Sequence, residues 1–208
     1  MHDQRLRAPA RLARIEAESK RLGFDMPSDP LTGALLRSLA ATRPGGRMLE
    51  LGTGTGLATA WLLDGMDANA RLVSIDNERS VQDVARKELE ADSRVSFLCT
   101  DGDLYLRDLT PEIRFDLIFA DTWPGKYRLL DETLAHLAHG GLYIVDDMLP
   151  QPNWPPGHEH KVQALLDALH ARPDLAVSEL AWSTGLVLAA RRAGGRASPE
   201  GNGSPQAS

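Results

Sequence analysis

The sequence has one cysteine, no long hydrophobic run and no excess of positive charge, and each absence excludes a class of protein. Cys99 is the only cysteine, so no intrachain disulfide can form. Because Cys99 ends the apolar run 95–99, we expect its thiol to be buried. No stretch approaches the ~18 apolar residues of a membrane-spanning helix, and residues 1–7 lack the apolar core of a signal peptide. These features predict a cytoplasmic protein with no membrane partner.

The charge balance argues against nucleic acid as a partner. The chain has 29 acidic and 23 basic residues, a formal net charge of −6, whereas a duplex-binding surface needs a basic excess to neutralise phosphates. Residues 5–21 are locally basic, which we interpret as the solvated face of a helix. The length of 208 residues and the 42% hydrophobic content suit one globular domain with a sizeable core.

Two helical patterns precede a regular alternation of strands and helices. Residues 4–22 form an amphipathic pattern that would pack on the main domain or on a second subunit of a homodimer. A second helix is predicted over 31–41, with Ser28 or Asp29 as its N-cap. Strands are then predicted at 47–51, 71–76, 94–99, 115–120 and 141–146, and helices at 56–64, 79–91, 103–109, 128–138 and 158–171.

This alternation predicts the α/β class, with a doubly wound, mostly parallel, seven-stranded sheet and helices on both faces. Residues 175–182 and 185–191 have no helix between them, so they predict an antiparallel hairpin at the C-terminal end of the sheet. We therefore divide the chain into an N-terminal helical extension (1–27), a main domain (28–191) and a tail (192–208). The tail has no large apolar residue, and we expect it to be disordered.

A glycine-rich turn follows the first predicted strand. Residues 48–56 read MLELGTGTG, which places Gly52, Gly54 and Gly56 between that strand and a helix start. Glycines let the backbone approach a ligand closely, and a helix start presents free N–H groups, although a plain tight turn would use the same residues. A dinucleotide fingerprint would read G-x-G-x-x-G. Here the carboxylate of Glu50 would repel a pyrophosphate and suits a ligand with a cationic end.

Three segments carry a resemblance to a known family. The E-x-G-x-x-x-G pattern that begins at Glu50 resembles the class I, Rossmann-like, S-adenosylmethionine-dependent methyltransferases. FDLIFADTWPGKY (115–127) and GGLYIVDD (140–147) are similar to two strand ends of the catechol-type and caffeoyl-CoA-type O-methyltransferases. A hairpin at the edge of the sheet is also typical of these methyltransferases. The resemblance covers about residues 28–191 and implies S-adenosylmethionine as the cofactor.

The predicted cofactor residues follow successive strands. Asp76 ends the second strand about 20 residues after the glycines, where an acidic side chain commonly accepts hydrogen bonds from ribose hydroxyls, and Asp76 or Asn77 could also cap the next helix. The resemblance implies that Asp101 contacts the adenine, with Gly102 giving backbone access. The predicted cofactor set is Glu50, Gly52, Thr53, Gly54, Gly56, Asp76, Asn77, Asp101, Gly102 and Asp121.

Three aspartates follow the fourth and fifth strands. Asp121, Asp146 and Asp147 would lie at the same edge of the sheet, and such hard oxygen ligands suit Mg²⁺, Ca²⁺ or Mn²⁺. The resemblance implies that the metal orients an acceptor oxygen toward the methyl group. The alternative is that the three carboxylates act as caps and hydrogen-bond acceptors at strand ends.

The sequence departs from the resembling family at Pro124. Catechol-type enzymes have a lysine general base at this position, and a proline side chain cannot accept a proton. Lys126, Asp147 or His158 could serve as the base, or the acceptor could differ from a catechol. The predicted catalytic residues are Asp121, Lys126 and Asp147.

Two tryptophans leave adjacent strand ends. Trp123 and Trp154 could wall an acceptor pocket together with His158, or they could simply plug the edge of the sheet. The function predicted from these features is methyl transfer to an oxygen of a small, possibly aromatic, acceptor by in-line displacement. The alternatives are propylamine transfer from the decarboxylated cofactor on the same scaffold and a protein that binds the cofactor without catalysis.

Overall fold

The computed structural model describes residues 6–152 and 154–194. In this part of the chain the helices are Leu12–Leu22 (α1), Pro30–Ala41 (α2), Leu57–Gly65 (α3), Arg79–Leu89 (α4), Gly102–Asp108 (α5), Leu130–Ala135 (α6) and His158–His170 (α7). The strands are Arg47–Leu51 (β1), Arg71–Asp76 (β2), Val95–Cys99 (β3), Phe115–Ala120 (β4), Leu137–Val145 (β5), Leu175–Leu180 (β6) and Leu186–Arg191 (β7). Each of these helices is too short or too polar to cross a lipid bilayer.

The strands form one sheet in the order β3-β2-β1-β4-β5-β7-β6. The first five strands are parallel, and β7 pairs antiparallel with both β5 and β6. This arrangement confirms the predicted α/β class and the terminal hairpin, in which Ser183 and Gly185 both have positive φ. Because the chain first winds outward from β1 to β3 and then returns to β4, the carboxyl ends of β1 and β4 flank a cleft.

Apolar side chains cover both faces of the sheet. One core cluster packs helices α1, α2, α3 and α4 on one face of the sheet and includes Ile15, Leu36 and Trp61. The other cluster packs α5, α6 and α7 on the opposite face. Alternation along β1 assigns Met48 to the first cluster and Leu49 to the second. Helices therefore shield both faces, and the sheet exposes only its edges and strand ends.

Helix α2 packs closely on α3 because two contact positions have no side chain. A Cβ atom at Gly33 would lie 2.2 Å from the Trp61 ring, and one at Gly65 would lie 2.1 Å from the carbonyl oxygen of Arg37. Asp29 caps α2, since its carboxylate accepts a hydrogen bond from Leu31 N at 2.7 Å. The cap was one of the two residues that the sequence proposed.

The N-terminal helix is shorter than predicted. Helix α1 begins at Leu12 and not at residue 4, because Pro9 cannot continue a helix and its carbonyl oxygen instead accepts a hydrogen bond from Leu12 N. Residues 4 and 5 of the predicted helix lie outside the described residues, as do residues 195–208 of the predicted tail. Helix α1 packs on α3 and α4 of its own chain through Leu12 and Ile15.

Strand β5 starts four residues earlier than predicted and shortens the preceding helix. The pairing of β4 with β5 changes register between Phe115 and Leu117, and Gly140 has a φ of 74° within this irregular part. The sequence LAHGG (137–141) resembles a helix end and a turn, which explains the predicted helix over 128–138.

The prediction that Cys99 is buried is wrong. Cys99 is exposed because β3 is an edge strand whose last two residues both face solvent.

Candidate active site

The glycine-rich turn packs tightly against the exit of β4. Gly52 has a φ of 101°, and its N–H donates to the carbonyl oxygen of Ile75, as does the N–H of Thr53. A Cβ atom at Gly52 would lie 2.9 Å from the carbonyl oxygen of Asp121, so no larger residue fits there without movement. The turn therefore places the ends of β1, β2 and β4 in direct contact.

Asp76 fixes the conformation of this turn. Its Oδ2 accepts a hydrogen bond from Gly54 N and its Oδ1 accepts one from Glu78 N, both at 2.8 Å. Each carboxylate oxygen retains a second lone pair, and Asp76 lines the cleft, so both oxygens can still accept from ligand hydroxyls. The neighbouring Asn77 also lines the cleft.

A cavity of about 220 Å³ extends from Asp76 along the ends of β1, β2 and β3. Asp101 lies in its wall and also caps α5, because its Oδ1 accepts hydrogen bonds from Asp103 N and Leu104 N at 2.7 and 3.3 Å. A Cβ atom at Gly102 would lie 2.7 Å from Pro124 Cβ, so the glycine keeps this wall open. A flat ring system could enter between these elements.

A larger cavity of about 660 Å³ continues past Asp76 and Asn77, which line both cavities, to the ends of β4 and β5. Eight of the ten predicted cofactor residues line one or both cavities. These are Gly52, Thr53, Gly54, Asp76, Asn77, Asp101, Gly102 and Asp121. The six residues predicted for catalysis or acceptor binding, Asp121, Trp123, Lys126, Asp147, Trp154 and His158, all line the larger cavity.

Glu50 and Gly56 do not line either cavity. Glu50 lies on the same face of β1 as Met48, beneath α3, and its Oε2 accepts hydrogen bonds from Thr59 Oγ1 at 2.5 Å and from Ser74 Oγ. Burial raises the pKa of Glu50 from 4.5 to about 7. Gly56 packs against α4, where an added Cβ would lie 2.6 Å from Ala85 Cβ. These two residues shape the turn from behind and are not placed to contact a ligand in the cleft.

The three aspartates predicted to bind a metal line the larger cavity, but they are not arranged as a metal site. Among the described residues, no group of three His, Cys, Asp or Glu side chains is arranged to hold a metal ion. The carboxylate of Asp146 is engaged instead, because its Oδ1 accepts hydrogen bonds from Thr184 Oγ1 and from Asp147 N. The residues present therefore do not fit the divalent cation that the sequence predicted at Asp121, Asp146 and Asp147.

A buried lysine lies beside these carboxylates. Lys126 is 5% exposed, and its Nζ donates a hydrogen bond to the backbone carbonyl oxygen of Asp146 at 2.5 Å. Burial lowers the pKa of Lys126 below its ordinary value, although the charges of the three aspartates act in the opposite direction. Burial, followed by the charges of Asp146 and Asp147, raises the pKa of Asp121 well above its ordinary value.

Four aromatic side chains form one wall of the larger cavity. The ring of His158 lies 4.7 Å from that of Trp154, 5.1 Å from that of Tyr127 and 6.2 Å from that of Trp123, between centroids. The hydroxyl of Tyr127 lies 3.1 Å from His158 Nε2, and His158 Nδ1 has no hydrogen-bond partner among the described residues. Burial lowers the pKa of His158, which favours the neutral imidazole. The wall combines apolar surface with a neutral proton acceptor.

The sequence did not reveal several residues of the site. Ser28 donates a hydrogen bond to Asp121 Oδ2 at 3.2 Å, and Thr184 donates to Asp146, although these partners are distant in sequence. Phe24 covers Gly54, where an added Cβ would meet its ring at 3.2 Å, and Arg128 borders the smaller cavity while it pairs with Asp103 at 2.7 Å. Only Ser28 had a sequence signal, as a possible helix cap.

Comparisons with known proteins agree with this geometry. Residues 49–148 match a family model described as a methyltransferase domain. Over 121 residues the chain is 31% identical to a protein from Mycolicibacterium smegmatis named "Putative O-methyltransferase". The aligned region covers 56% of this chain and 57% of that protein. The chain spans less than two thirds of the length of the curated relatives it matches.

Two solved structures share the fold over most of the chain. The O-methyltransferase TomG from Streptomyces achromogenes, involved in tomaymycin synthesis and solved with SAM, has a TM-score of 0.78 and 22% identity, over 91% of this chain and 92% of TomG. The O-methyltransferase from Bacillus cereus, solved with SAH, has a TM-score of 0.77 and 20% identity, over 91% of this chain and 94% of that one.

The chain has the class I, Rossmann-like, methyltransferase fold, and residues 49–148 match a methyltransferase domain. In sequence the chain is similar to proteins named as O-methyltransferases, in agreement with the resemblance that the sequence motifs indicated.

Proposed function

We propose that this protein binds S-adenosylmethionine and transfers its methyl group to an oxygen of a small acceptor. The observation that carries the proposal is the continuity of the cleft, because Gly52, Asp76 and Asn77 line both cavities. The smaller cavity beside the ends of β2 and β3 is thus connected to the larger cavity beside the ends of β4 and β5. The adenosine would occupy the smaller cavity, with its ribose hydroxyls on Asp76. The methionine end would then cross the glycine-rich turn into the larger cavity.

The chemistry requires an oxygen nucleophile in line with the methyl carbon and the sulfur. The oxygen lone pair forms the new bond to carbon, the carbon–sulfur bond breaks with its electron pair moving to sulfur, and S-adenosylhomocysteine leaves. The acceptor's proton passes to a basic group, for which Asp147 and His158 line the same cavity. Most of the protein's contribution is positioning, because an aligned pair of reactants avoids much of the entropic cost of meeting.

The larger cavity suits an acceptor with an aromatic or similarly flat apolar part. Trp123, Trp154 and Tyr127 offer ring surfaces around His158, and the cavity also contains charged groups that can bind a polar end.

Because Cys99 is a free, exposed thiol, a reducing compartment is suitable, and we assign the activity to the cytoplasm.

Calorimetry with S-adenosylhomocysteine tests the cofactor assignment. We expect one site per chain, and we expect Asp76→Asn to weaken binding at least about tenfold, because a lost charge-assisted hydrogen bond costs roughly 1.5–3 kcal/mol. Asp83→Asn is the matched control, since Asp83 is exposed on α4 and should leave binding unchanged. No binding by the unmodified protein, or equal effects of the two substitutions, would contradict the proposal.

Two further measurements distinguish the alternative functions. An aminopropyltransferase would bind decarboxylated S-adenosylmethionine more tightly than the intact cofactor, and calorimetry with both compounds compares them directly. A protein that binds the cofactor without catalysis would form no S-adenosylhomocysteine with any phenol, catechol or carboxylate. We expect preference for the intact cofactor and turnover with at least one acceptor class, detected by mass spectrometry.

A further inference from the structure

The loop after β4 brings a tyrosine hydroxyl to a histidine of α7. Tyr127 and His158 are 31 residues apart in sequence, yet Tyr127 Oη lies 3.1 Å from His158 Nε2. The two rings meet edge to face, with centroids 5.1 Å apart and planes at 89°. Both side chains line the larger cavity, and the hydroxyl has no other hydrogen-bond partner in the part of the chain that the structure describes.

The two side chains differ in how far they are open to the cavity. His158 is 5% exposed, and its Nδ1 is buried without a hydrogen-bond partner among the described residues. Its Nε2 faces the hydroxyl of Tyr127, whose side chain is half-buried. An acceptor in the cavity would therefore meet the Tyr127 hydroxyl more readily than either imidazole nitrogen.

We propose that Tyr127 and His158 form a proton relay for a hydroxyl acceptor. As the acceptor oxygen attacks the methyl carbon, its proton passes to Tyr127 Oη while the phenolic proton of Tyr127 passes to His158 Nε2. The products are a methyl ether, S-adenosylhomocysteine, a neutral tyrosine and an imidazolium, so the positive charge of the sulfonium ends on His158. The relay supplies the proton acceptor that is lacking at Pro124.

The relay rests on the proposed methyl transfer and adds the class of the acceptor. A phenol or an alcohol has a proton to lose when its oxygen is methylated, whereas a carboxylate has none at neutral pH. The inferred acceptor is therefore a hydroxyl compound.

The surroundings keep both groups in the protonation states that the relay needs. Burial and the charge of Asp147 raise the pKa of Tyr127, so the phenol keeps its proton. Burial, followed by the charge of Lys126, lowers the pKa of His158, so the imidazole is neutral and has one free lone pair. The relay requires this lone pair at Nε2 and the imidazole proton at Nδ1.

Backbone contacts fix the two partners from different elements. Tyr127 N donates a hydrogen bond to the carbonyl oxygen of Trp123 at 2.9 Å, and the rings of these two residues meet edge to face with centroids 6.0 Å apart. His158 begins α7 directly after Gly157, whose φ is 80°, and His158 N donates to the carbonyl oxygen of Pro155 at 3.1 Å. The hydrogen bond between the side chains therefore joins two fixed loops.

Nuclear magnetic resonance of ¹⁵N-labelled histidine tests the direction of this hydrogen bond without cofactor or acceptor. The signals that disappear in His158→Gln identify His158. We expect the Nδ1–H tautomer in the unmodified protein and loss of this preference in Tyr127→Phe, whereas Tyr105→Phe, at a half-buried tyrosine that lines neither cavity, should leave the signals unchanged. An Nε2–H tautomer in the unmodified protein would overturn the relay.

Kinetics with a panel of phenols, catechols and carboxylates test the catalytic role. With a methylated phenol or catechol, Tyr127→Phe and His158→Gln should each lower kcat by about a hundredfold or more, with KM and affinity for S-adenosylhomocysteine within about threefold of the unmodified protein. The double variant should be no more than about threefold slower than the slower single variant, because the two residues act in one relay. His160→Gln, at an exposed position of α7, is the matched control.

A rise in KM with unchanged kcat, or losses that multiply in the double variant, would overturn the relay. Methylation of carboxylates alone would overturn the relay and leave the proposed methyl transfer standing, whereas no methylation of any compound in the panel would overturn both. If His158→Gln does not fold, Tyr127→Phe alone decides, since it keeps the ring and removes only the hydroxyl.

Discussion

Glu50 is a buried acid whose ionisation should control the stability of the fold. Its carboxylate is fully buried, and Oε1 has no hydrogen-bond partner among the described residues, while Thr59 and Ser74 donate to Oε2. Burial raises its pKa from 4.5 to about 7, although these two hydrogen bonds act in the opposite direction. We expect Glu50→Gln, which keeps the shape and removes the charge, to change how stability depends on pH.

The direction follows from proton binding. Between pH 4.5 and about 7 the folded protein keeps a proton on Glu50 that the unfolded chain has lost, so the free energy of unfolding falls as the pH rises. Each unit of pKa shift is worth about 1.4 kcal/mol, so the free energy of unfolding falls by about 3 kcal/mol in total once the pH is well above 7. Roughly 2–3 kcal/mol of this decrease occurs between pH 5 and pH 8. Glutamine does not titrate, so its variant should not show this loss.

Urea unfolding at pH 5 and pH 8, followed by tryptophan fluorescence, measures the effect. Relative to the unmodified protein, Glu50→Gln should gain roughly 2–3 kcal/mol of stability on going from pH 5 to pH 8, because the other titrating groups cancel in the comparison. Glu16→Gln, at an exposed position of α1, should show no such change.

Parallel pH profiles for Glu50→Gln and the unmodified protein would refute this reasoning, since they would mean that Glu50 is ionised at no cost in the fold.

The same variant tests the role of Glu50 in the cofactor site. Because Glu50 lines neither cavity, the affinity of the Glu50→Gln protein for S-adenosylhomocysteine should differ from that of the unmodified protein by less than about threefold. Loss of cofactor binding would restore the direct contact with the methionine end that the sequence suggested.

Two further substitutions or modifications test the fold around the site. Gly56→Ala should lower the free energy of unfolding by roughly 2–4 kcal/mol, because Gly56 has a φ of 93° and the added Cβ would lie 2.6 Å from Ala85 Cβ. Gly140→Ala should cost only about 1 kcal/mol, since Gly140 shares the positive φ and has open space around it, and equal urea midpoints would contradict the packing argument. Cys99 should react with an aromatic disulfide reagent in the native protein as fast as in urea, and protection until unfolding would show that β3 is covered.

Local sequence signals predicted the central strands because each is a short, mainly apolar run bounded by polar residues or glycine. The observed bounds of β1, β2 and β4 agree with the predicted ones, and the hairpin followed from two strand patterns without a helix between them. The errors arose where pairing overrides local pattern. The extended start of β5 depends on its irregular pairing with β4, and the exposure of Cys99 depends on the position of β3 at the sheet edge.

The site was less predictable because its contacts join distant parts of the chain. The rule that parallel strands end at one edge sufficed to bring Asp76, Asp101 and Asp121 to the same cleft. Alternation along β1 also predicts Glu50 on the side of Met48, away from the cleft, whereas its charge and the family pattern indicated a contact with the ligand. The contact between Lys126 and Asp146 depends on the path of one loop, which no spacing in the sequence specifies.

The order of the strands explains why the two halves of the cleft can serve different purposes. Segments after β1, β2 and β3 line the smaller cavity together with the loop after β4, and backbone hydrogen bonds to Asp76 and Asp101 hold the segments after β1 and β3 in place. The larger cavity uses side chains from loops after β4 and β5, and its contacts reach α7 and the β6–β7 turn through His158 and Thr184. The loop after β4 contributes Thr122 and Trp123 to both cavities, and its close packing against Gly52 fixes the position of one cavity relative to the other.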